Sequence, residues 1–154
     1  MELEQEIISG PLPSQRMIPM DHPVFRSLDH LAIVVPDTDE ALRIWRDQVG
    51  LQVLYSEVVN DGAVRLTHLD LGNTQLQLVE PLQPDHPLQQ WLQEHGSGLH
   101  HFCFQVDDVQ QAFEQLPKHN LPTAPAIHQG TKGKRALFVD AKATDGIPVE
   151  VTGP

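Results

Sequence analysis

Two stretches of sequence that resemble each other decide the fold: HLAIVVPD at residues 30–37 and HFCFQVDD at residues 101–108. Their first residues, His30 and His101, lie 71 positions apart, and the same interval separates the acidic residues that end the stretches. Each is a short apolar run followed by acidic residues, which is typical of a buried strand that leads into the N-terminus of a helix. The sequence therefore predicts an internal duplication.

The residues that follow each stretch also correspond. Asp37 with Glu40, and Asp108 with Gln111, have the spacing of a capping box at the start of a helix. Each predicted helix is followed by three extended stretches separated by turn residues, near 51–59, 64–71 and 74–80 in the first copy and near 123–128, 134–140 and 147–152 in the second. The predicted fold class is α+β, with two βαβββ modules that form a cupped eight-stranded mixed sheet with helices outside.

The domain organisation follows from this repeat. Four prolines interrupt residues 1–27, which we interpret as an N-terminal arm that is partly ordered. We predict a single domain over residues 28–153, divided into module 1 (28–82), a linker helix (85–98) and module 2 (99–153).

Composition limits the classes of partner. In 154 residues, no apolar run approaches the roughly 20 needed to span a bilayer, and the acidic first residues do not resemble a secretory signal. Ten basic against 21 acidic residues give a net charge of -11, which repels nucleic acid. We expect a cytoplasmic protein with no membrane or nucleic-acid partner, and we interpret its one cysteine, Cys103, as a buried structural thiol.

The duplication also brings potential metal ligands into equivalent places. His30 and His101 begin the first strand of each module, and Gln77 and Glu150 each stand in the last strand, four residues before a proline. Two nitrogens and two oxygens suit a borderline divalent ion such as Co²⁺, Ni²⁺, Zn²⁺ or Mn²⁺. Taken singly, each residue also has a structural explanation, so their joint symmetry is what favours a metal centre.

Seven further histidines remain. His100 is an alternative to His101, because consecutive strand residues face opposite sides and only one of the two is expected to face inward. We prefer His101, since its neighbours repeat those of His30. The others show no such correspondence and are interpreted as surface or local groups: His22, His68, His86, His95, His119 and His128.

The duplicated unit with this quartet resembles the vicinal oxygen chelate superfamily (glyoxalase/bleomycin resistance). Within it, the segments LDHLAI (28–33), LGNT (71–74), LVEPL (78–82) and GLHH (98–101) resemble methylmalonyl-CoA epimerases. The resemblance covers about residues 28–152. It implies that His30, Gln77, His101 and Glu150 are metal ligands, that an acyl-CoA thioester is the substrate, and that the chain forms a homodimer.

The activity implied is a metal-dependent 1,1-proton transfer alpha to a thioester, the interconversion of the (R) and (S) forms of methylmalonyl-CoA. Glu150 is expected to exchange the proton on one face of the substrate, and a second group must serve the other face. Arg65 stands at the register where some epimerases carry a second carboxylate. Thr67, His68 and Asp70 are alternatives for that role.

Coenzyme A is polyanionic, so clustered basic residues are expected where it binds. Four of the ten lie within 11 positions, near a glycine-containing turn, and are expected to contact the phosphates: Lys132, Lys134, Arg135 and Lys142. A solvated strand edge would show the same pattern.

Three other functions compete with the epimerase. A glyoxalase I-type lactoylglutathione lyase, or another isomerase on this scaffold, is disfavoured by Gln77 and by the context of residues 98–101. A metal-free small-molecule binding or resistance protein would not require the complete quartet. An iron dioxygenase needs only three protein ligands, whereas this chain offers four.

Overall fold

The computed structural model describes residues 25–154. The predicted N-terminal arm therefore lies outside the described residues as far as residue 24, and the first strand begins at Ser27. The domain and module boundaries stay a prediction.

Eight strands form one mixed sheet, in the order β2-β3-β4-β1-β5-β8-β7-β6. This order is symmetrical about the central β1–β5 pair, as expected for two copies of one unit. The pairs β1–β4 and β5–β8 are parallel, and the others are antiparallel. The strands are β1 (Ser27–Val34), β2 (Val53–Val59), β3 (Val64–Asp70), β4 (Gln75–Pro81), β5 (Gly98–Gln105), β6 (His128–Gln129), β7 (Arg135–Val139) and β8 (Val149–Gly153).

Three helices connect and cover the strands. Asp37 and Asp108 cap α1 and α3 as predicted, since each carboxylate accepts a 3.0 Å hydrogen bond from the backbone N–H three residues on. No helix among residues 25–154 has both the length and the apolar character needed to cross a membrane. The helices are α1 (Thr38–Leu42, continued by a π-helix at Arg43–Gln48), α2 (Pro87–His95) and α3 (Val109–Gln115, continued by a 3-10 turn at Leu116–His119); further 3-10 turns are Thr131–Gly133 and Ala141–Thr144.

Apolar side chains form a separate cluster under each helix. Helix α1 packs Ala41 and Leu42 against one face of module 1. Helix α3 packs Val109 and Ala112 against the equivalent face of module 2. Helix α2 packs against the opposite face of module 1, on a cluster with Val64, Leu66 and Val79 at its centre. The linker helix therefore helps to build the concave side of the sheet.

One predicted strand is much shorter than expected. Of residues 123–128, only His128 lies in a strand, and Thr123 forms an isolated bridge with Val139. Pro122 and Pro125 lack the backbone N–H that a strand ladder needs, which explains the irregular path.

The two ends of the sheet approach each other and nearly close it into a cupped barrel. The Tyr55 hydroxyl on β2 lies 3.2 Å from the Thr131 hydroxyl, in the turn that follows β6. The Glu57 carboxylate on β2 accepts a 2.9 Å hydrogen bond from the backbone N–H of Lys132. The fold class predicted from the duplication is thus confirmed.

Candidate metal centre

Three of the four predicted ligands meet at the bottom of the cup. Candidate ligand atoms of His30, His101 and Glu150 all lie within 4.8 Å of one another. Oε1 of Glu150 is 3.6 Å from Nε2 of His30 and 3.7 Å from Nε2 of His101. The three residues are 3%, 9% and 7% exposed, respectively. They come from β1, β5 and β8, adjacent strands around the symmetry axis of the sheet.

The donor atoms of this cluster fit a cation. Within the described chain, Nε2 of His30 and Nε2 of His101 are buried and have no hydrogen-bond partner. A buried polar atom without a partner costs roughly 1–3 kcal/mol, so two together in a folded protein call for an explanation. Imidazole lone pairs directed at a shared point beside a carboxylate form a donor set that suits a borderline divalent metal.

Glu150 remains ionised in this setting. Burial alone would raise the pKa of its carboxyl group, but contacts with His101, His128 and His30 outweigh burial and hold the pKa well below its ordinary value. Oε2 lies 3.3 Å from Nε2 of His128, whereas Oε1 faces the two ligand histidines. One oxygen is thus left for the metal and the other is held by a neighbour.

Asp29 lies in a β-bulge directly before His30. The register of β1 on β5 shifts between Leu28 and His30, so Asp29 is an extra residue that the bulge turns toward the site. Its Oδ1 accepts a 2.7 Å hydrogen bond from Nδ1 of His30, and its Oδ2 is 3.4 Å from Nζ of Lys134. Burial acts to raise the pKa of Asp29, but these two partners lower it. The carboxylate therefore fixes the His30 tautomer, leaving Nε2 unprotonated toward the centre.

A second bulge repeats this arrangement before His101. The register of β1 on β5 shifts again between Ala32, which pairs with His101, and the next residue, Ile33, which pairs with Leu99. His100 is therefore an extra residue on β5. Nδ1 of His100 lies 2.8 Å from Nδ1 of His101, and burial lowers the pKa of His100 to about 4, so its neutral ring can accept that hydrogen bond. The expectation that only one of these two histidines faces inward is wrong, because the bulge breaks the alternation of the strand.

The fourth predicted ligand, Gln77, is buried on β4 and borders the same cavity. Its Nε2 lies 3.0 Å from Nε2 of His68, whose ring is 1% exposed. Burial lowers the pKa of His68 to about 4, so the ring is neutral at pH 7. The interpretation of His68 and His128 as surface or local groups is wrong, since both contact predicted ligands. No signal in the repeat pointed to them, because neither has a histidine at the equivalent place in the other module.

A cavity of about 320 Å³ opens over these ligands. Its remaining polar border includes His86, Gln129 and Thr131, and its walls are largely apolar. The apolar residues are Val64, Leu66, Val79, Leu88, Ala136 and Phe138. A few convergent polar groups in an apolar pocket are typical of a small-molecule site.

Comparison with known proteins agrees with this architecture. The family model of the Glyoxalase/Bleomycin resistance protein/Dioxygenase superfamily matches residues 29–138. The chain belongs to this superfamily.

Similar members of the superfamily are named as epimerases. The mitochondrial methylmalonyl-CoA epimerase of Mus musculus is 35% identical over 128 residues, which are 80% of this chain and 71% of that protein. The ethylmalonyl-CoA/methylmalonyl-CoA epimerase of Cereibacter sphaeroides is 31% identical over 129 residues, 80% of this chain and 95% of that one. A solved variant of Streptomyces coelicolor methylmalonyl-CoA epimerase, in complex with 2-nitronate-propionyl-CoA, superimposes with a TM-score of 0.76 at 28% identity, covering 84% of this chain and 95% of its own.

Strand β3 presents an apolar surface to the cavity of this superfamily member. Val64 and Leu66 line the cavity, whereas Arg65 points to the other side. The Arg65 guanidinium donates to the Ser56 hydroxyl at 3.0 Å and approaches Asp39 at 3.4 Å. Because side chains alternate along the strand, Arg65 faces away from the cavity, and it does not stand where a second acid/base would be needed.

The four basic residues predicted to bind coenzyme A are spread over different surfaces. Lys134 lines the cavity, and Lys132 is exposed in the turn beside it. Arg135 donates a 3.1 Å hydrogen bond to a backbone carbonyl near the end of β8 and lies 3.6 Å from Asp108. Lys142 is exposed in the turn Ala141–Thr144. Since side chains alternate along a strand, Lys134 and Arg135 face opposite sides of the sheet.

Proposed function

We propose that this chain is a metal-dependent epimerase that moves a proton at the carbon alpha to a thioester carbonyl, with methylmalonyl-CoA as its substrate. The observation that carries the proposal is the pair of buried, partnerless Nε2 atoms of His30 and His101 beside the Glu150 carboxylate. The names of the relatives support the choice of reaction. The acyl-CoA analogue bound by the Streptomyces coelicolor enzyme supports the choice of substrate class.

The proposed ligands are His30, Gln77, His101 and Glu150. A divalent cation held by them would supply Lewis-acid stabilisation for the negative charge that develops on the thioester oxygen when the alpha proton leaves. Asp29 and His100 hold the two ligand rings through their Nδ1 atoms, so that no reorientation is needed on binding.

Glu150 is the proposed base on one face of the substrate. Its carboxylate is ionised and borders the cavity; with Oε1 facing the two ligand histidines, Oε2 is the oxygen that would accept the alpha proton of a substrate within hydrogen-bond reach, in place of its 3.3 Å contact with His128. The largely apolar walls limit the access of water to the enolate that forms when the alpha proton leaves. Inversion further requires a proton donor on the opposite face of the substrate, and the two residues of β3 that border the cavity, Val64 and Leu66, cannot supply one.

Metal analysis of the purified protein tests whether the proposed ligands bind a metal ion. We expect about one transition-metal ion per full-length chain, held by the His30, His101 and Glu150 cluster. The double variant H30A/H101A should lose the ion, whereas His95→Ala, an exposed histidine on α2, should keep it. Wild-type protein without metal that binds small apolar ligands would instead indicate a binding or resistance protein.

Proton exchange with the solvent tests the proposed reaction at the alpha carbon. Co²⁺-loaded protein in D₂O with methylmalonyl-CoA should show deuterium at the alpha position and loss of optical purity by NMR and chiral analysis. Glu150→Gln should lower the exchange rate by at least about 100-fold, the usual contribution of a positioned base. Turnover of methylglyoxal with glutathione, and none of methylmalonyl-CoA, would assign the chain to lactoylglutathione lyases.

A further inference from the structure

A chain of three side chains lies directly behind the candidate metal centre. Nδ1 of His68 is 2.7 Å from Oε1 of Gln75, and Nε2 of His68 is 3.0 Å from Nε2 of Gln77. The His68 ring stacks on Tyr55 at 4.5 Å and meets the His30 ring edge-on at 5.4 Å. The ring is therefore held by a stacking contact, by an edge contact and by hydrogen bonds at both nitrogens.

The hydrogen bonds in this chain run in one direction. The amide oxygen of Gln75 can only accept, so Nδ1 of His68 carries the proton of that hydrogen bond. The –NH₂ group of Gln77 faces Nε2 of His68 and can only donate, so Nε2 is the acceptor. The amide oxygen of Gln77 is the end that remains for the cavity. If all three side chains were reversed, Gln77 would turn its –NH₂ group toward the centre, and an amide nitrogen has no free lone pair for a cation.

We propose that His68 is a positioning residue, held by Gln75, that directs the amide oxygen of Gln77 toward the metal. The inference rests on the metal centre of the proposed function. A glutamine has a flexible side chain and two chemically different ends, so without a fixed partner it presents either end to the cavity. The hydrogen bonds among Gln75, His68 and Gln77 fix the orientation of the Gln77 amide before the metal binds. A neighbouring hydroxyl, that of Thr131, also lies 3.5 Å from Nε2 of His68, at the limit of a hydrogen bond.

The variant His68→Phe keeps an aromatic ring between Tyr55 and His30 but removes the acceptor for Gln77. Co²⁺ titrated into the metal-free, full-length variant should bind at least about 10-fold more weakly than to wild type, as is typical when an outer-shell partner of a ligand is lost. The visible absorption of the bound Co²⁺ should also change, because the oxygen of Gln77 leaves the ligand set. A purely structural role for His68 would lower the melting temperature without altering that spectrum.

Coupling to Gln77 is measured in a double-mutant cycle. If His68 acts through Gln77, then H68F/Q77A should bind Co²⁺ no more weakly than Q77A alone. The matched control is H95F, the same replacement at an exposed position of α2, which should leave both affinity and spectrum unchanged.

Two variants of Gln75 test the direction of the hydrogen bonds and do not alter the His68 ring. Gln75→Glu, which can only accept, should bind Co²⁺ at least as tightly as wild type. Gln75→Leu, which cannot accept, should bind more weakly. Equal losses in both variants, or wild-type affinity and spectrum in H68F, would overturn the inference. Failure of wild-type protein to bind Co²⁺ would overturn the metal centre of the proposed function instead.

Discussion

The site depends on how single side chains are oriented by their immediate neighbours. Each ligand histidine has its Nδ1 held by the residue before it, Asp29 for His30 and His100 for His101. The two partners differ chemically, since one is a carboxylate and the other a neutral imidazole. Both nonetheless leave Nε2 as the atom that faces the shared point, which is why the duplicated unit yields one centre from two dissimilar dipeptides.

Loss of the Asp29 carboxylate should loosen the His30 ring and weaken metal binding. We expect Asp29→Ala to bind Co²⁺ about 10- to 100-fold more weakly, because the outer-shell acceptor no longer fixes the tautomer. Isothermal titration of metal-free protein measures the change. Asp47→Ala removes an exposed carboxylate on the π-helix after α1 and is the charge-matched control. Equal affinities for the Asp29 and Asp47 variants would contradict the role given to Asp29.

At the scale of the elements, the last strand is fitted closely to the segment after β5. The backbone N–H of Val106 donates a 2.9 Å hydrogen bond to the carbonyl of Thr152 on β8. The next residue, Gly153, lies so near that an added Cβ would stand 2.3 Å from the Val106 carbonyl oxygen. Glycine is therefore required by a backbone contact, and Glu150 lies only three residues before the end of β8.

Gly153→Ala should consequently destabilise the fold. We expect a loss of about 1–3 kcal/mol from overpacking, which corresponds to a melting temperature lower by roughly 3–10 °C for a chain of this size. Thermal unfolding followed by circular dichroism measures it. In Gly98→Ala, on β5, the new Cβ meets only Trp91 at an ordinary 3.6 Å, so its melting temperature should stay close to wild type. A Gly153 variant that melts like the Gly98 variant would show that β8 can move away from Val106.

At the scale of the whole molecule, the net charge of the protein has the same sign as the charge of the proposed substrate. A net charge of -11 disfavours a polyanion such as coenzyme A, unless basic residues stand where the phosphates bind. Of the four basic residues predicted for this role, Lys134 holds Asp29 and Arg135 lies against Asp108. Lys132 and Lys142 are exposed and neither contacts Asp29 or Asp108, although Nζ of Lys132 lies 4.0 Å from the centre of the Tyr55 ring, so they are the pair whose removal tests phosphate binding.

We expect the double variant K132Q/K142Q to raise KM for methylmalonyl-CoA about 5-fold at low salt, since each exposed charge pair contributes roughly 0.5 kcal/mol and two pairs are lost. KM for a short thioester that lacks the nucleotide should not change. Lys118→Gln, an exposed lysine in the turn after α3, is the control for overall charge. Equal increases for both substrates would mean that these lysines do not contact the coenzyme A phosphates.

Much of the architecture followed from the sequence alone, because it is encoded locally and written twice. Strand periodicity, the capping residues Asp37 and Asp108 and the 71-residue interval were enough to predict the βαβββ units. The same symmetry selected His30, His101 and Glu150, which the fold brings to one point. Such features depend on neighbours in the chain or on the repeat, so no knowledge of distant contacts was needed.

Only the tertiary structure decided which additional side chains join the site. The bulges at Asp29 and His100 arise from the pairing of β1 with β5, strands about 70 residues apart in the chain, and a bulge reverses the inside–outside assignment made from alternation. The membership of His68 and His128 likewise depends on which strands lie beside each other once the sheet has curled, since His68 contacts Gln77 and His128 contacts Glu150. Hydrogen bonds inside the cavity join residues that are far apart in the chain, so the pattern of residues along the sequence does not predict them.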